Sequence, residues 1–440
     1  MPRLPILALL LALASLGHAE KPCPQPDLHT QALRSLALQS KLLAVKVPNQ
    51  GMDESVPPLL QLQIHAIKDT LTTLAAEALE CAPATTEPAA LQTALAAALD
   101  LNQQTPTNPE TSTTQDPDQI YGANLTVKVT RPTKLPILLI EFRFSIACGT
   151  DSLLLAYEYH HVHWLSAARW QSPDYDQVSG AFGDFFDSLI LQPEPPPQPP
   201  SPANPPSPAH PPSPAHPADP STWFLAVAHG HPWCASATSA FDLDVLQPSE
   251  FLQPQHSVYS EGATYVREID PTLNPVPGGF ELRMTTHSLD ASIAQRPAIY
   301  RYRVTPGSPD ESPIQRIQPI ADNVRDFVDE WLQAPWGEAK HWATPEALPS
   351  LEPVHNKIEA LHDPAVKEFP ELQYGPVRPC SDSPSHFQVE LRQAPTVQPK
   401  PRPAPPTYFQ IEKGNAAFTL LSASTVPNPR CNGAEVLTAP

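Results

Sequence analysis

Residues 140–164 read IEFRFSIACGTDSLLLAYEYHHVHW. Ile140, Phe142, Phe144, Ile146 and Cys148 alternate with Glu141, Arg143 and Ser145, which is the period of a strand with one buried face. A turn at "GT" or "GTD" leads into a second apolar run over 152–163. Two such runs joined by a glycine turn make an antiparallel hairpin. Side chains two apart in a strand share a face, so His161 and His163 continue the face of Leu155, Tyr157 and Tyr159, and His160 points the other way. That face offers two imidazoles to a metal.

A zinc site needs three or four ligands with outer partners. The nearest further cluster is "AVAHGHPWC" (226–234), with His229, His231 and Cys234. Two features oppose a joint site. Cys234 is expected to be oxidised, and the second half of the chain carries no histidines at the positions matching 161 and 163. The reading is therefore a strand leaving the core, with polar aromatic residues at its rim. His161, His163, His229 and His231 stay as metal candidates.

Working outward, Leu125, Val127 and Val129 alternate before the hairpin, and "ARWQ" (168–171) follows it. Val178, Phe182, Phe185, Phe186, Leu189 and Ile190 fall on one face of a helix over 176–191. Beyond residue 220 strands are expected at 222–228, 240–246, 256–267, 279–286 and 298–305, then a helix at 320–333 presenting Val324, Phe327, Val328, Trp331 and Leu332. The two halves are alike in order and spacing. "IEFRF" (140–144) matches "FELRM" (280–284), "AYEY" (156–159) matches "IYRY" (299–302), and "ARWQ" matches "QRIQ" (315–318). This reads as a duplicated β-meander-plus-helix module. "QVELR" (388–392) opens a shorter third copy.

Between the halves lies a proline-rich stretch holding "PPSPAN", "PPSPAH" and "PPSPAH" over 199–216. With few backbone donors and few apolar side chains it is expected as extended polyproline II, at most about 87 Å long, and reads as a semi-rigid spacer. A ligand for a proline-binding partner is the other use of such a segment.

Ahead of the strands, Leu60, Ile64, Ile67, Leu71, Leu74 and Ala78 step by four and three along a helix over 57–81, with Pro57 and Pro58 in its first turn. Helices are also expected at 27–46 and 88–101. Residues 344–361 hold another, interrupted by Pro349 and Pro353, and "FQVEL", "TYFQIE" and "AFTLLSAS" read as short C-terminal strands. The fold class is α+β: an N-terminal helical hairpin or bundle, two similar antiparallel β-meander-plus-helix modules and a small C-terminal strand unit. The expected divisions are 1–19 (leader), 20–102 (helical), 103–119 (polar linker), 120–192 (first module), 193–220 (proline-rich linker), 221–336 (second module) and 337–440 (C-terminal helix and strands).

The leader "MPRLPILALLLALASLGHA" has one arginine, an apolar run and small residues at Gly17 and Ala19, as a secretory signal peptide does. Export to an oxidising compartment suits an even set of cysteines: Cys23, Cys81, Cys148, Cys234, Cys380 and Cys431. Chain-local pairing, 23–81, 148–234 and 380–431, is the expected connectivity. No further apolar run is long enough to cross a membrane as a helix. Loss of the leader removes Arg3 and takes the net charge from −19 to −20. A chain this acidic is repelled by nucleic acid and anionic membranes.

HExxH, GxSxG, Walker A and GxGxxG patterns are absent, so no cofactor and no catalytic residue is assigned. Asp242 and Asp244 in "FDLDVL" share a strand face and read as solvated. Trp331 reads as core, and Trp336 and Trp342 as packing onto the sheet. "AVAHGHPWC", "AFGDFF" and "WLQAPW" resemble segments of uncharacterised exported proteins of soil bacteria, over most of 119–435. That group has no assigned activity, so the resemblance implies export and the module boundaries alone. The expected function is non-enzymatic binding or assembly, with an unknown protein or extracellular ligand as partner. The alternative is a secreted hydrolase or metal-dependent enzyme with its site near His161, His163, His229 and His231.

Overall fold

A computed structural model describes residues 58–99, 101, 124–132, 135–146, 149–172, 184–193, 223–231, 238–248, 257–266, 270–290, 292–293, 295–305, 312–317, 321–360, 372–393, 405–414 and 417–436, with residues 30, 32, 34 and 37 of an earlier helix. The fold is α+β. Among the described residues the strands form four antiparallel sheets of four, each a simple meander in chain order. Contacts divide the chain into two compact units: Met1–Gln50, Val56–Ala147 and Ser152–Gln171 in one, and Gly51–Ser55, Cys148–Asp151 and Ser172–Pro440 in the other.

The first unit holds α1 (Pro58–Leu79), α2 (Pro88–Ala98), β1 (Thr126–Thr130), β2 (Ile137–Ile146), β3 (Gly149–His160) and β4 (His163–Gln171). The expected stripe on α1 is the buried one: Leu60, Ile64, Ile67, Leu71 and Leu74 are wholly enclosed. Pro58 opens the helix, where its missing N–H costs no hydrogen bond. Polar contacts fasten the helices to the sheet. Gln92 accepts from the Val129 N–H at 3.1 Å, and Arg131 donates to the Ala84 and Thr86 carbonyls at 3.0 Å. Arg169 pairs with Asp69 at 2.9 Å.

In the second unit, β5 (Asp184–Leu191), β6 (Phe224–His231), β7 (Thr238–Leu246) and β8 (Ser257–Val266) form one sheet. A second comprises β9 (Thr272–Val276), β10 (Gly279–His287), β11 (Gln295–Val304) and β12 (Ile314–Arg316). Their facing side chains share one apolar core. Phe224, Ala226 and Ala228 of β6 and Phe241, Leu243 and Val245 of β7 meet Phe280, Leu282 and Met284 of β10 and Tyr300 and Tyr302 of β11. Every second residue enters this core, as the pleat requires.

Then come α3 (Val324–Gln333), the short α4 (Trp336–Ala339), a 3₁₀ turn (Lys340–Trp342) and α5 (Leu348–Glu359). They lie on a sheet of β13 (Leu372–Cys380), β14 (Ser383–Gln393), β15 (Thr407–Lys413) and β16 (Phe418–Ser424), around Phe327, Val328, Trp331, Leu351, Val389, Phe409, Ile411 and Leu420. Trp331 is fully buried and donates to the Ala339 carbonyl at 2.9 Å, and Trp342 is 5% exposed. Pro353 lies within α5 rather than breaking it, and Pro349 sits in its first turn. The C-terminal part is thus a full sheet with its own helices, more than the small strand unit expected.

The helix expected at 176–191 is the second correction. Within the described residues 184–191 are a strand, and β5 pairs with β6 from Asp184↔Gly230 to Leu191↔Phe224, with a shift of register between Phe185 and Asp187. Ile190 and Leu191 are both buried although neighbours on a strand face opposite ways. The shift between Phe185 and Asp187 interrupts the two-residue alternation, so the apolar residues of DFFDSLIL fall at the three-and-four spacing of a helix stripe. Residues 176–183 and most of the helix expected at 27–46 fall outside the described residues.

The internal matches fall on equivalent strands. "IEFRF", "FELRM" and "QVELR" lie in β2, β10 and β14, each the second strand of its sheet. "AYEY" and "IYRY" lie in the third strands β3 and β11; "ARWQ" is in the fourth strand β4, and "QRIQ" begins in the fourth strand β12. The apolar pattern of Phe182, Phe185, Phe186, Leu189 and Ile190, which recurs at Val324, Phe327, Val328, Trp331 and Leu332, does not fall on equivalent elements: its described part is in strand β5 after one sheet and in helix α3 after the other. In both β2 and β10 the arginine reaches back to its own glutamate, Arg143 to Glu141 and Arg283 to Glu281.

Candidate functional site

The densest group of buried charge lies where β8, β11, β12 and α3 meet. Arg296 of β11 pairs with Asp329 at 3.1 Å and Glu330 at 2.6 Å. Arg316 of β12 pairs with Glu330 at 2.7 Å and Glu261 at 2.6 Å, and its guanidinium stacks 3.9 Å from the centre of the Tyr300 ring. Glu261 also accepts from the hydroxyls of Tyr259 at 2.6 Å and Tyr302 at 2.7 Å. Asp329 takes further hydrogen bonds from the Ser288 hydroxyl at 2.6 Å and the Leu289 N–H at 3.0 Å.

Burial raises the Asp329 carboxyl above its usual range, against the pull of Arg296. Burial likewise lifts the Tyr302 hydroxyl, with Glu261 adding to it, so it stays a proton donor. Two guanidiniums thus face three carboxylates, all with partners among neighbouring elements. The cluster is a fastening between both sheets of the sandwich and α3. Nearby, Asp290 accepts from the Tyr374 N–H at 2.9 Å and carries the fastening on to β13.

α3 itself starts on an N-cap. The Asn323 side chain accepts from the Asp326 N–H at 3.0 Å and donates to the Asp326 carboxylate at 2.8 Å. Burial pushes the Asp326 carboxyl up to about 6, offset in part by Arg296 and reinforced by Asp329.

The four candidate histidines are placed differently from the expectation. The hairpin turns at His161 and Val162, with His161 at a positive φ of 54°. His160 and His163 are cross-strand partners and so share a face, whereas His161 is in the turn. His161 and His163 are exposed, and His160 lies 3.2 Å from Glu158. His229 belongs to the other compact unit. It is 2% exposed, with Nε2 2.8 Å from the Asp244 carboxylate. Asp244 is therefore a structural partner rather than a solvated charge. Of His231 only the backbone, in β6, is described. Among the described residues no group of three or more His, Cys, Asp or Glu side chains is placed to hold a metal ion.

Sequence reasoning passed over an open cleft of about 330 Å³ on the face of the C-terminal sheet away from its helices. Pro376, Arg378, Gln388, Glu390 and Tyr408 form its floor, alternating with the buried Val377, Val389 and Phe409. The chain after β16 forms the wall, with Pro427, Asn428, Pro429 and Asn432. That wall is tied down at several points. Cys380 and Cys431 are joined by a disulfide, as expected from the sequence. Gln388 accepts from the Asn428 N–H at 2.7 Å, Arg378 donates to the Gly433 carbonyl at 3.0 Å, and the Val436 N–H donates to the Val377 carbonyl at 2.9 Å. Cys81 is disulfide-bonded as well, to a partner outside the described residues. The Cys380–Cys431 pairing was expected from the sequence; the strand carrying Arg378, and the placing of Pro427, Asn428, Pro429 and Asn432 as a wall beside it, were not.

Comparison with known protein families, with curated proteins and with solved structures finds no match for this chain. What the fold and site define by themselves is an α+β protein of antiparallel meanders, fastened by a disulfide and a buried charge cluster. No helix among the described residues is long and apolar enough to cross a membrane.

Proposed function

We propose that this chain is an exported, disulfide-containing, non-enzymatic protein of binding or assembly, built in part from a duplicated meander. One observation carries the reading. Leu191 and Phe224 are paired residues of adjacent strands, so the proline-rich stretch between them leaves and re-enters the fold at one place. A segment with coincident ends does not set the distance between two domains. The spacer reading therefore gives way to presentation: the PPSPAN and PPSPAH copies are a binding segment held out from a sheet. The second proline-rich stretch, 394–406, has the same arrangement, since Leu391 of β14 faces Thr407 of β15.

The enzyme alternative has less support. His229 is enclosed and its Nε2 is engaged by the Asp244 carboxylate. The test is capture of native partners from the exporting cell with the mature chain, intact and with residues 193–222 replaced by a short turn. Loss of specific partners on replacement supports the reading. An identical set of partners with both forms would overturn the role given to the segment.

A further inference from the structure

The cleft beside Cys380–Cys431 suits a particular chemistry. A proline-rich strand lacks an N–H at each proline but keeps every carbonyl. Its receptor must therefore offer flat apolar surface and hydrogen-bond donors. The cleft supplies both. Tyr408, Pro376, Pro427 and Pro429 provide rings, and Pro427 and Pro429 are exposed. Arg378, Gln388, Tyr408, Asn428 and Asn432 provide donors. The oxygens of two of these amides are already used, Gln388 Oε1 by the Asn428 N–H and Asn428 Oδ1 by the Arg430 N–H, which leaves their NH₂ ends. Glu390 is the single carboxylate in the lining, balanced by Arg378.

Charge selects among ligands. The hexapeptide copies over 199–216 contain no Asp, Glu, Lys or Arg. The other proline-rich stretch carries Lys400 and Arg402, two cations for which the lining has only Glu390, already balanced by Arg378. A neutral strand fits the balanced cleft better. Copies of a chain whose net charge is −19 repel one another at close range, so association through an arm that keeps the bodies apart is favoured. A looped arm of residues 193–220 reaches at most about 43 Å, half its extended length, which is beyond the screening distance of about 8 Å. Three copies of one motif add avidity.

We propose that this cleft binds the PPSPAN/PPSPAH segment of a second copy of the chain. The proposal rests on the binding-or-assembly reading and names the partner. Sedimentation velocity of the full mature protein over a range of concentrations tests it. Self-association is expected, dissolved by excess synthetic PPSPAHPPSPAH. Tyr408→Ala should weaken it by about tenfold or more, whereas Tyr408→Phe, which keeps the ring, should weaken it less. Thermal melts of both variants check that the fold is kept.

A protein that stays monomeric throughout, or an association insensitive to both peptide and Tyr408→Ala, overturns the proposal. Equal competition by the peptide PTVQPKPRPAPP of residues 395–406 also overturns it, by showing another occupant. If the wild-type chain captures native partners through the hexapeptide segment but stays monomeric, the binding reading stands and the cleft assignment alone fails.

Discussion

Leu191 and Phe224 face each other across the β5–β6 ladder with the proline-rich stretch between them. Fold and excursion are therefore separable. Replacing residues 193–222 with a four-residue turn should leave the sheet intact and raise stability by up to about 2 kcal/mol, because a shorter loop costs less entropy to close. Thermal and urea unfolding of the two forms check this. A large loss of stability in the shortened form would mean that β5 and β6 are not hairpin partners.

Much of this architecture is legible in the residues, and its failures share one cause. α1 and α2 bury a single stripe and β1 alternates cleanly, so their periods show which element they form; α3 is buried from Phe327 to Leu332 because Asp329 and Glu330 are enclosed in the ion-pair cluster. β5 carries a register shift between Phe185 and Asp187 that breaks its alternation and leaves its apolar residues at helical spacing. The pairing of Asp244 with His229 joins residues of different strands, and the cleft wall depends on where residues 427–432 lie once the expected Cys380–Cys431 bridge has brought the tail back. No local pattern records such long-range placements. The turn at His161 shows the same limit on a smaller scale. The apolar run predicted that a strand exists there but not the residue at which it reverses.

Arg296 is 4% exposed and faces Asp329 and Glu330, which are 1% and 4% exposed. Arg296→Met should destabilise the protein by about 3–5 kcal/mol, since it leaves buried carboxylates without their counter-charge. Arg296→Met combined with Asp329→Asn and Glu330→Gln should recover part of that loss. Denaturant midpoints of the single and triple variants measure it. Equal losses in both would show that the cost comes from packing rather than from unpaired charge.

The Cys380–Cys431 bridge closes a loop with a sequence separation of 51 and holds the tail against β13. Cys380→Ser with Cys431→Ser should cost up to about 4 kcal/mol by the chain-entropy estimate. The change should also increase amide exchange at Ser381, Gly433 and Val436, whose N–H groups donate between the tail and the β13 side. Hydrogen exchange resolved by residue is the measurement. Unchanged protection at Val436 in the double variant would show that the tail is held by its hydrogen bonds without the disulfide.

Asp326 makes stability depend on pH in a specific direction. Its carboxyl is raised to about 6 in the fold, against a value near 3.8 when free, by burial first and then by Asp329 and Asp322. The folded state thus holds its proton more tightly than the unfolded chain does. The associated stability is complete below about pH 4 and is lost as pH rises through about 6. Asp326→Asn keeps an acceptor for the Asn323 amide and removes the charge. It should flatten that part of the profile and stabilise the protein at pH 7 by up to about 1 kcal/mol, after allowance for partial exposure and for the helix dipole, which favours the charge. Unfolding free energies of wild type and variant between pH 4 and 7 decide the matter. A variant that is less stable at pH 7 would mean that the charge at the N-terminus of α3 helps the fold more than its burial harms it.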